Sequence, residues 1–374
     1  MKSTILAVGL LVAAGPVLAQ RHKPTINTET PEGRLLQTIG QEPEAGKLPL
    51  LEQFATQYPK HEALAWVYAL MIPAYAKANQ PDKQLDVCGK LLALDPQAVE
   101  DAHECLKGAE AKKDPDAVKK WALLTSNTAR KVAASPKPKD EDEVEDWKKR
   151  VDYAKQVDIY TDYSLYATVL QTPDPKKKIE LGDALEQNSP QTQYLGQVRG
   201  AQFLAYQQLG DKENAVRVAE KAIEKDPNNE DMLLAAADYY MNKKDVERTL
   251  AYSTKLTELM GAKPAPQGVA PADWEKRKGL MLGVGYWMAG MTYSGQNKFP
   301  QADAALRLAL PYVKGNDQLM PSTLFHLGLA NYKSEKIVDA LKFFEQCAAV
   351  KSPFQLQAQK NIRAIRTQYV VKNK

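Results

Sequence analysis

Little in this chain is set up for chemistry. Its four histidines (His22, His61, His103 and His326) are scattered, and no Ser/His/Asp or Cys/His set arises from their spacing. His103 and Cys105 invite a zinc reading, but two residues apart on a helix they point about 200° from each other, which defeats joint ligation. Gly283-Val284-Gly285 with Gly290 lacks the dinucleotide-loop spacing, and no strand precedes it. The acidic run Asp140 to Asp146 suits a solvated helix start better than a calcium loop. No enzyme activity, cofactor or metal site is expected on these grounds. Charge is equally unspecific. The chain holds 50 Lys and Arg against 46 Asp and Glu, interspersed, so the basic stripe of a nucleic-acid binder is missing. Runs such as Lys148-Lys149-Arg150 and Lys176-Lys177-Lys178 read as solvated helix faces. Strand alternation with hairpin turns is lacking too, which leaves an all-α chain.

Long hydrophobic runs are also scarce. Residues 1–19 have a positive start at Lys2, an apolar run from Ile5 to Ala14, and small residues Val17-Leu18-Ala19 before Gln20. This is the pattern of a cleaved signal peptide, too short to span a bilayer. No lipid-anchor cysteine lies beside it. The other apolar candidate, Leu280 to Met291, is broken by three glycines, so no membrane span is expected after cleavage. Removal of the leader leaves 49 basic against 46 acidic residues. The expected compartment is periplasmic or secreted.

What the chain does have is a period. Tyr206 and Tyr240 lie 34 residues apart. Around the first stand Phe203-Leu204-Ala205, Gly210-Asp211, Ala215, Ala222 and Asp226-Pro227; around the second, Ala237, Lys244-Asp245, Thr249 and Leu256. Tyrosine, turn, alanine and a closing Asp-Pro at this spacing mark a helical hairpin repeat. Read outward, hairpins run from Pro31 to Tyr58, Glu62 to Asp95 and Val99 to Ala134, with helices expected at Pro31–Gln41 and Leu48–Tyr58 in the first. Asp114 with Pro115 is expected to cap and open a helix, and Pro73 to kink one. A long helix after Pro136 and Pro138 starts in the acidic run and pairs with one reaching Asn188. The expected organisation is a leader at 1–19, a tail at 20–30, N-terminal hairpins at 31–134 and central hairpins at 135–262. A Pro/Gly/Ala-rich linker at 263–273 and C-terminal hairpins with a capping helix at 274–374 complete it. Six to seven hairpins are expected in all.

The last two hairpins carry a resemblance. Tyr286-Trp287-Met288-Ala289-Gly290-Met291-Thr292-Tyr293 resembles the Trp-x-x-Leu-Gly-x-x-Tyr opening of a tetratricopeptide repeat, with Ala302 and Leu306 following at the expected spacing. In the next hairpin Leu324, Leu327 and Gly328 precede Ala340 and Phe344. Small residues such as Gly328 and Ala340 let the backbones approach while Phe344 fills the gap beside them. The resemblance covers about residues 31 to 370 and implies a right-handed α-solenoid. It implies a scaffold that holds a partner protein or peptide in a groove lined by first helices, through Trp66, Leu204, Asp238, Met241, Trp287, Met291, Phe325, Leu329 and Tyr332. Trp287 and Phe325 can equally be covered by the terminal helix, because the end of a solenoid needs a cap. Asn242, Asn331 and Lys333 do not match the spacing by which some members grip terminal carboxylates, so that activity is not expected.

Two further features stay open. The register puts Cys88 on the second helix of one hairpin and Cys105 on the first helix of the next, where a disulfide fits; two small buried hydrophobes fit equally. Cys347 falls on a core position. Tyr153, Tyr160, Tyr163 and Tyr166 crowd one long helix. They serve either inter-helix packing or the stacking of a glycan or other small ligand, and the latter calls for three or more exposed on one wall.

Overall fold

The computed structural model describes residues 22–372, so the leader lies outside the described residues. Seventeen α-helices and no strands occupy them: α1 (Pro31–Gln41), α2 (Glu44–Gln57), α3 (Leu64–Lys77), α4 (Pro81–Leu94), α5 (Val99–Lys112), α6 (Pro115–Ala133), α7 (Glu141–Gln171), α8 (Pro175–Asn188), α9 (Leu195–Gln208), α10 (Lys212–Lys225), α11 (Glu230–Asn242), α12 (Val246–Ala262), α13 (Pro271–Gly295), α14 (Phe299–Val313), α15 (Leu319–Lys333), α16 (Ile337–Ala348) and α17 (Gln355–Lys372). The fold is all-α and built from antiparallel helix pairs, as in a tetratricopeptide-like solenoid. There are eight pairs and a closing helix, more than the six to seven expected. The chain divides between Val198 and Arg199 into two compact units. That division falls inside α9 and not at either proline-rich segment.

Local chemistry explains where the helices start and stop. Thr30, Asp114, Asp140, Asp174, Asp211, Asn229 and Asp245 each accept a backbone N–H in the first turn that follows, satisfying a donor the helix cannot. Six hairpin turns place one residue in the left-handed region: Asn79, Lys113, Gly210, Lys244, Asn297 and Glu335. Asn and Gly adopt that conformation readily, whereas Lys113, Lys244 and Glu335 do so at a cost of about 1–2 kcal/mol each. Helix α2 begins at Glu44, ahead of the expected Leu48, with Pro49 inside it. Pro49 cannot donate to the Ala45 carbonyl, so α2 lacks one bond of its ladder near its start.

In the first unit α3 packs on α5 and α5 on α7, while α6 packs on α8 in the other layer. Val99, Ala129, Val132, Ala154 and Val157 form one buried cluster across α5, α6 and α7. Arg130 ties three helices: its Nε lies 2.9 Å from Asp158, Nη1 donates to the Asn188 carbonyl and Nη2 to Ser189 Oγ, both at 2.9 Å. Cys88 on α4 and Cys105 on α5 are joined in a disulfide with Cα atoms 5.9 Å apart, and both residues are wholly buried. Cys347 is a buried free thiol whose pKa burial pushes up to about 11.

The second unit holds two clusters. One runs from Phe203 through Val216, Leu233 and Tyr240 to Trp274 and Leu282. The other gathers Leu306, Leu324, Leu327, Phe343 and Phe344 with Ala358 and Ile365 of α17. The close approach read from the sequence is present: a Cβ on Gly328 would stand 2.7 Å from the Phe344 ring, and one on Gly290 would stand 2.5 Å from Leu306 Cγ.

Candidate functional site

In the second unit the face of α9 and α11 opens into a cleft of about 560 Å³. Its apolar floor is Phe203, Ala215, Val216, Ala235 and Tyr239, and Lys212, Asp238, Asn242 and Lys243 stand among its charged and polar lining. Gly210, at φ +72°, turns the chain tightly at one end and starts α10 beside the opening. Tyr239 is fixed edge-on against Tyr240, with ring centroids 5.2 Å apart, while Lys243 lies 5.5 Å over its other side. Next to it, Glu220 accepts from Tyr240 at 2.8 Å and Tyr252 at 3.0 Å, and the Arg248 guanidinium sits 4.7 Å from the Tyr240 centroid. Those bonds stiffen the wall that Val216 and Tyr239 share with a second hollow. The cleft therefore offers an open apolar seat between rigid helices, with charge of both signs at its mouth.

Of the nine residues expected in a groove, Trp287, Phe325, Leu329 and Tyr332 pack against one buried cluster of the second unit. Leu204 is 58% exposed and Asp238 is exposed at the cleft, while Met241 is half-buried on the same helix. Trp66 is a correction: it is only 9% exposed, because α3 is apolar nearly all round and is enclosed by α2, α4 and α5. Trp287 is half-buried and donates to Ser322 Oγ at 3.3 Å, and Ser322 in turn lies 3.6 Å from Met291 Sδ. Phe325 packs 5.7 Å from Phe344 and 5.2 Å from Phe354. Leu329 and Tyr332 join the same cluster, and Tyr332 donates to Gln368 of α17 at 3.1 Å. Helix α17 thus covers the last first helix where another hairpin would have packed, so Phe325, Leu329 and Tyr332 serve the cap.

The first unit carries an aromatic ladder instead. His103 of α5 meets Tyr153 through a 2.9 Å Nδ1–hydroxyl hydrogen bond and Tyr160 edge-on at 4.9 Å. Tyr160 donates to Glu110 at 2.8 Å and continues to Tyr163 at 6.2 Å. Tyr163, Tyr166 and Tyr194 then close a triangle with centroid distances of 6.3, 6.1 and 4.7 Å, the last pair stacked. Of the four α7 tyrosines only Tyr163 is exposed, fewer than the three a glycan wall calls for. Sequence reasoning missed His103, Glu110 and Tyr194 here, since they come from other segments and only the register of α5 against α7 unites them.

Burial is the main force on His103, lowering its pKa from 6.5 to about 4; the Lys107 charge adds to the effect and Glu104 opposes it. The unfolded chain therefore takes up this proton first as pH falls. Stability from the neutral ring is intact above pH 6.5 and is lost between 6.5 and 4, on the order of 3 kcal/mol. Urea midpoints at pH 7 and pH 4.5 should thus fall further for wild type than for His103→Gln. Equal falls would contradict this assignment. Among the described residues no group of three or more His, Cys, Asp or Glu could hold a metal ion, and no helix is long and apolar enough to cross a membrane.

Comparison with known proteins finds a family match over one segment. Residues 204–229, from Leu204 through α10 to the cap of α11, match the family described as Tetratricopeptide repeat. Among solved structures, the crystal structure of the P58(IPK) TPR domain aligns over 91% of this chain and 98% of that one, at 11% identity and a TM-score of 0.29. No curated protein matches the sequence.

Proposed function

We propose that this chain, which matches the Tetratricopeptide repeat family over residues 204–229, is a non-catalytic scaffold that holds a peptide or helix of another protein against the first helices of its second unit. The observation that carries this reading is the open cleft of about 560 Å³ between α9, α10 and α11. An apolar side chain of a partner can seat against Phe203, Val216 and Tyr239, while Lys212, Asp238 and Lys243 fix its flanking polar groups. Leu204, also on α9, is 58% exposed and offers apolar surface on the same helix.

The scaffold acts in the periplasm or outside the cell. Supporting this are the leader pattern of residues 1–19 and the Cys88–Cys105 bridge, a bond that persists in oxidising compartments. The mature protein would then begin at Gln20, which N-terminal sequencing of the exported protein checks directly.

The test of binding is retention of partners from an envelope extract by immobilised wild type and by Leu204→Ala/Tyr239→Ala. Both side chains reach the surface at least in part, so the variant should keep wild-type helicity. A protein held by wild type and lost from the folded variant is the expected result. Equal retention by both would move the site elsewhere, and no retained protein from several extracts would count against the scaffold.

A further inference from the structure

Charge that nearly balances over the whole chain does not balance along it. The last 29 residues, 346–374, hold six lysines and arginines (Lys351, Lys360, Arg363, Arg366, Lys372 and Lys374) and no aspartate or glutamate. From Gln20 to Glu345 the chain holds 43 basic residues against 46 acidic ones. We propose that the outer face of α17 rests on an anionic lipid bilayer, attaching the second unit to a membrane surface without spanning it.

Helix α17 has two unlike sides. Ala358 and Ile365, two turns apart, are buried in the cluster shared with α15 and α16, and Ile362 packs against it. Leu356, Lys360 and Arg363 recur at spacings of four and three residues on the opposite side, and all three are exposed. Lys351 is exposed in the connection that leads into the helix, and Lys342 is exposed on α16, against which α17 packs. The carboxylates of α16 are already paired: Glu345 lies 2.7 Å from Arg366, and Asp339 lies 2.8 Å from Arg307. Beyond α14 the carboxylates without a cation partner among the described residues are Asp317 and Glu335. Lys342, Lys351, Lys360 and Arg363 have no carboxylate partner among the described residues, so the face stays positive.

The form of this face selects its occupant. A bilayer presents a plane of phosphates, which meets each exposed cation without a pocket to seat it. A peptide needs a seat, and the two hollows described above lie on α9 to α12. Leu356, 71% exposed, stands at the start of the basic stripe. The boundary between headgroups and acyl chains takes up such a side chain, and the phosphate backbone of a nucleic acid offers it nothing comparable. The buried side of α17 stays in the core, so the attachment is peripheral and weakens with salt.

The test is flotation of the full mature protein with vesicles of phosphatidylcholine, alone or mixed with phosphatidylglycerol. Binding to the phosphatidylglycerol vesicles should exceed binding to phosphatidylcholine alone at least about tenfold, and should fall as salt rises. Lys360→Glu/Arg363→Glu changes only exposed positions and should weaken binding at least about tenfold, with helicity unchanged. Lys360→Arg/Arg363→Lys should bind like wild type, because a plane of phosphates responds to charge and not to side-chain shape. Leu356→Ser should weaken binding less than the double reversal does. Failure to bind phosphatidylglycerol vesicles, equal binding to both kinds, or indifference to Lys360→Glu/Arg363→Glu overturns the proposal. So does tighter binding, at the same salt, to duplex DNA or to an acidic helical peptide than to the vesicles. Leu204→Ala/Tyr239→Ala should float like wild type, so the membrane proposal and the scaffold reading can each fail with the other standing.

Discussion

Replacing Cys88 and Cys105 together by alanine lowers the unfolding free energy by about 3 kcal/mol, the chain-entropy value for so short a loop. The bridge closes a 17-residue separation and fastens the second helix of one hairpin to the first helix of the next. Repeat proteins draw their stability from such nearest-neighbour contacts, so a covalent staple between repeats acts on the term that decides whether the stack holds. Both residues are wholly buried, and the paired alanines also forfeit some packing, which adds to the loss. The check is a urea transition for wild type with and without reductant beside the double variant. Reductant should lower the wild-type midpoint and leave the variant's unchanged. Alkylation of denatured, unreduced wild type should find one thiol, from Cys347. Three thiols, or a double variant within about 0.5 kcal/mol of wild type, would contradict the bridge and with it one support for an oxidising compartment.

The second large effect is at the contact of Gly328 with Phe344. Phe344 is 1% exposed, and its ring occupies the space where a Cβ on residue 328 would stand, 2.7 Å away. Phe325 confines the same ring from another side at 5.7 Å. Phe344→Ala should cost about 3–5 kcal/mol by emptying the site. Gly328→Val should cost about 3 kcal/mol, since overpacking exceeds the small gain of replacing glycine in a helix. The pair should be coupled: Gly328→Val with Phe344→Leu should lose at least about 1 kcal/mol less than the sum of the single changes. Additive losses would mean that the ring is not what excludes the side chain.

The repeat was legible because its determinants are local. A tyrosine at 34-residue spacing, Asp-Pro closures and acidic or asparagine caps set helix ends without help from distant residues. The repeat register marked turns at Gly210-Asp211 and Lys244-Asp245, but the left-handed conformation of Lys113, Lys244 and Glu335 was hidden, since these residues have no preference for it. The groove was less legible than the fold. A repeat register says which face a residue occupies in an ideal repeat but not whether another element covers it. Trp66 is lost to the enclosure of α3, and Phe325, Leu329 and Tyr332 to α17. Leu204 and Asp238 stayed exposed, on α9 and α11. The aromatic ladder needed the pairing of residues 50 apart, and sequence alone holds no sign of that register.

The central claim is that a partner protein sits on the first-helix face of the second unit. A photo-crosslinking residue placed singly at Leu204, at Asp238 and at Val338 tests it in intact cells of the source organism. Val338 serves as the reference because it is 82% exposed and lies on α16, away from the cleft residues. The account predicts one common crosslinked protein from positions 204 and 238 and none from 338. No adduct at 204 and 238, or the same adduct at all three positions, would contradict it.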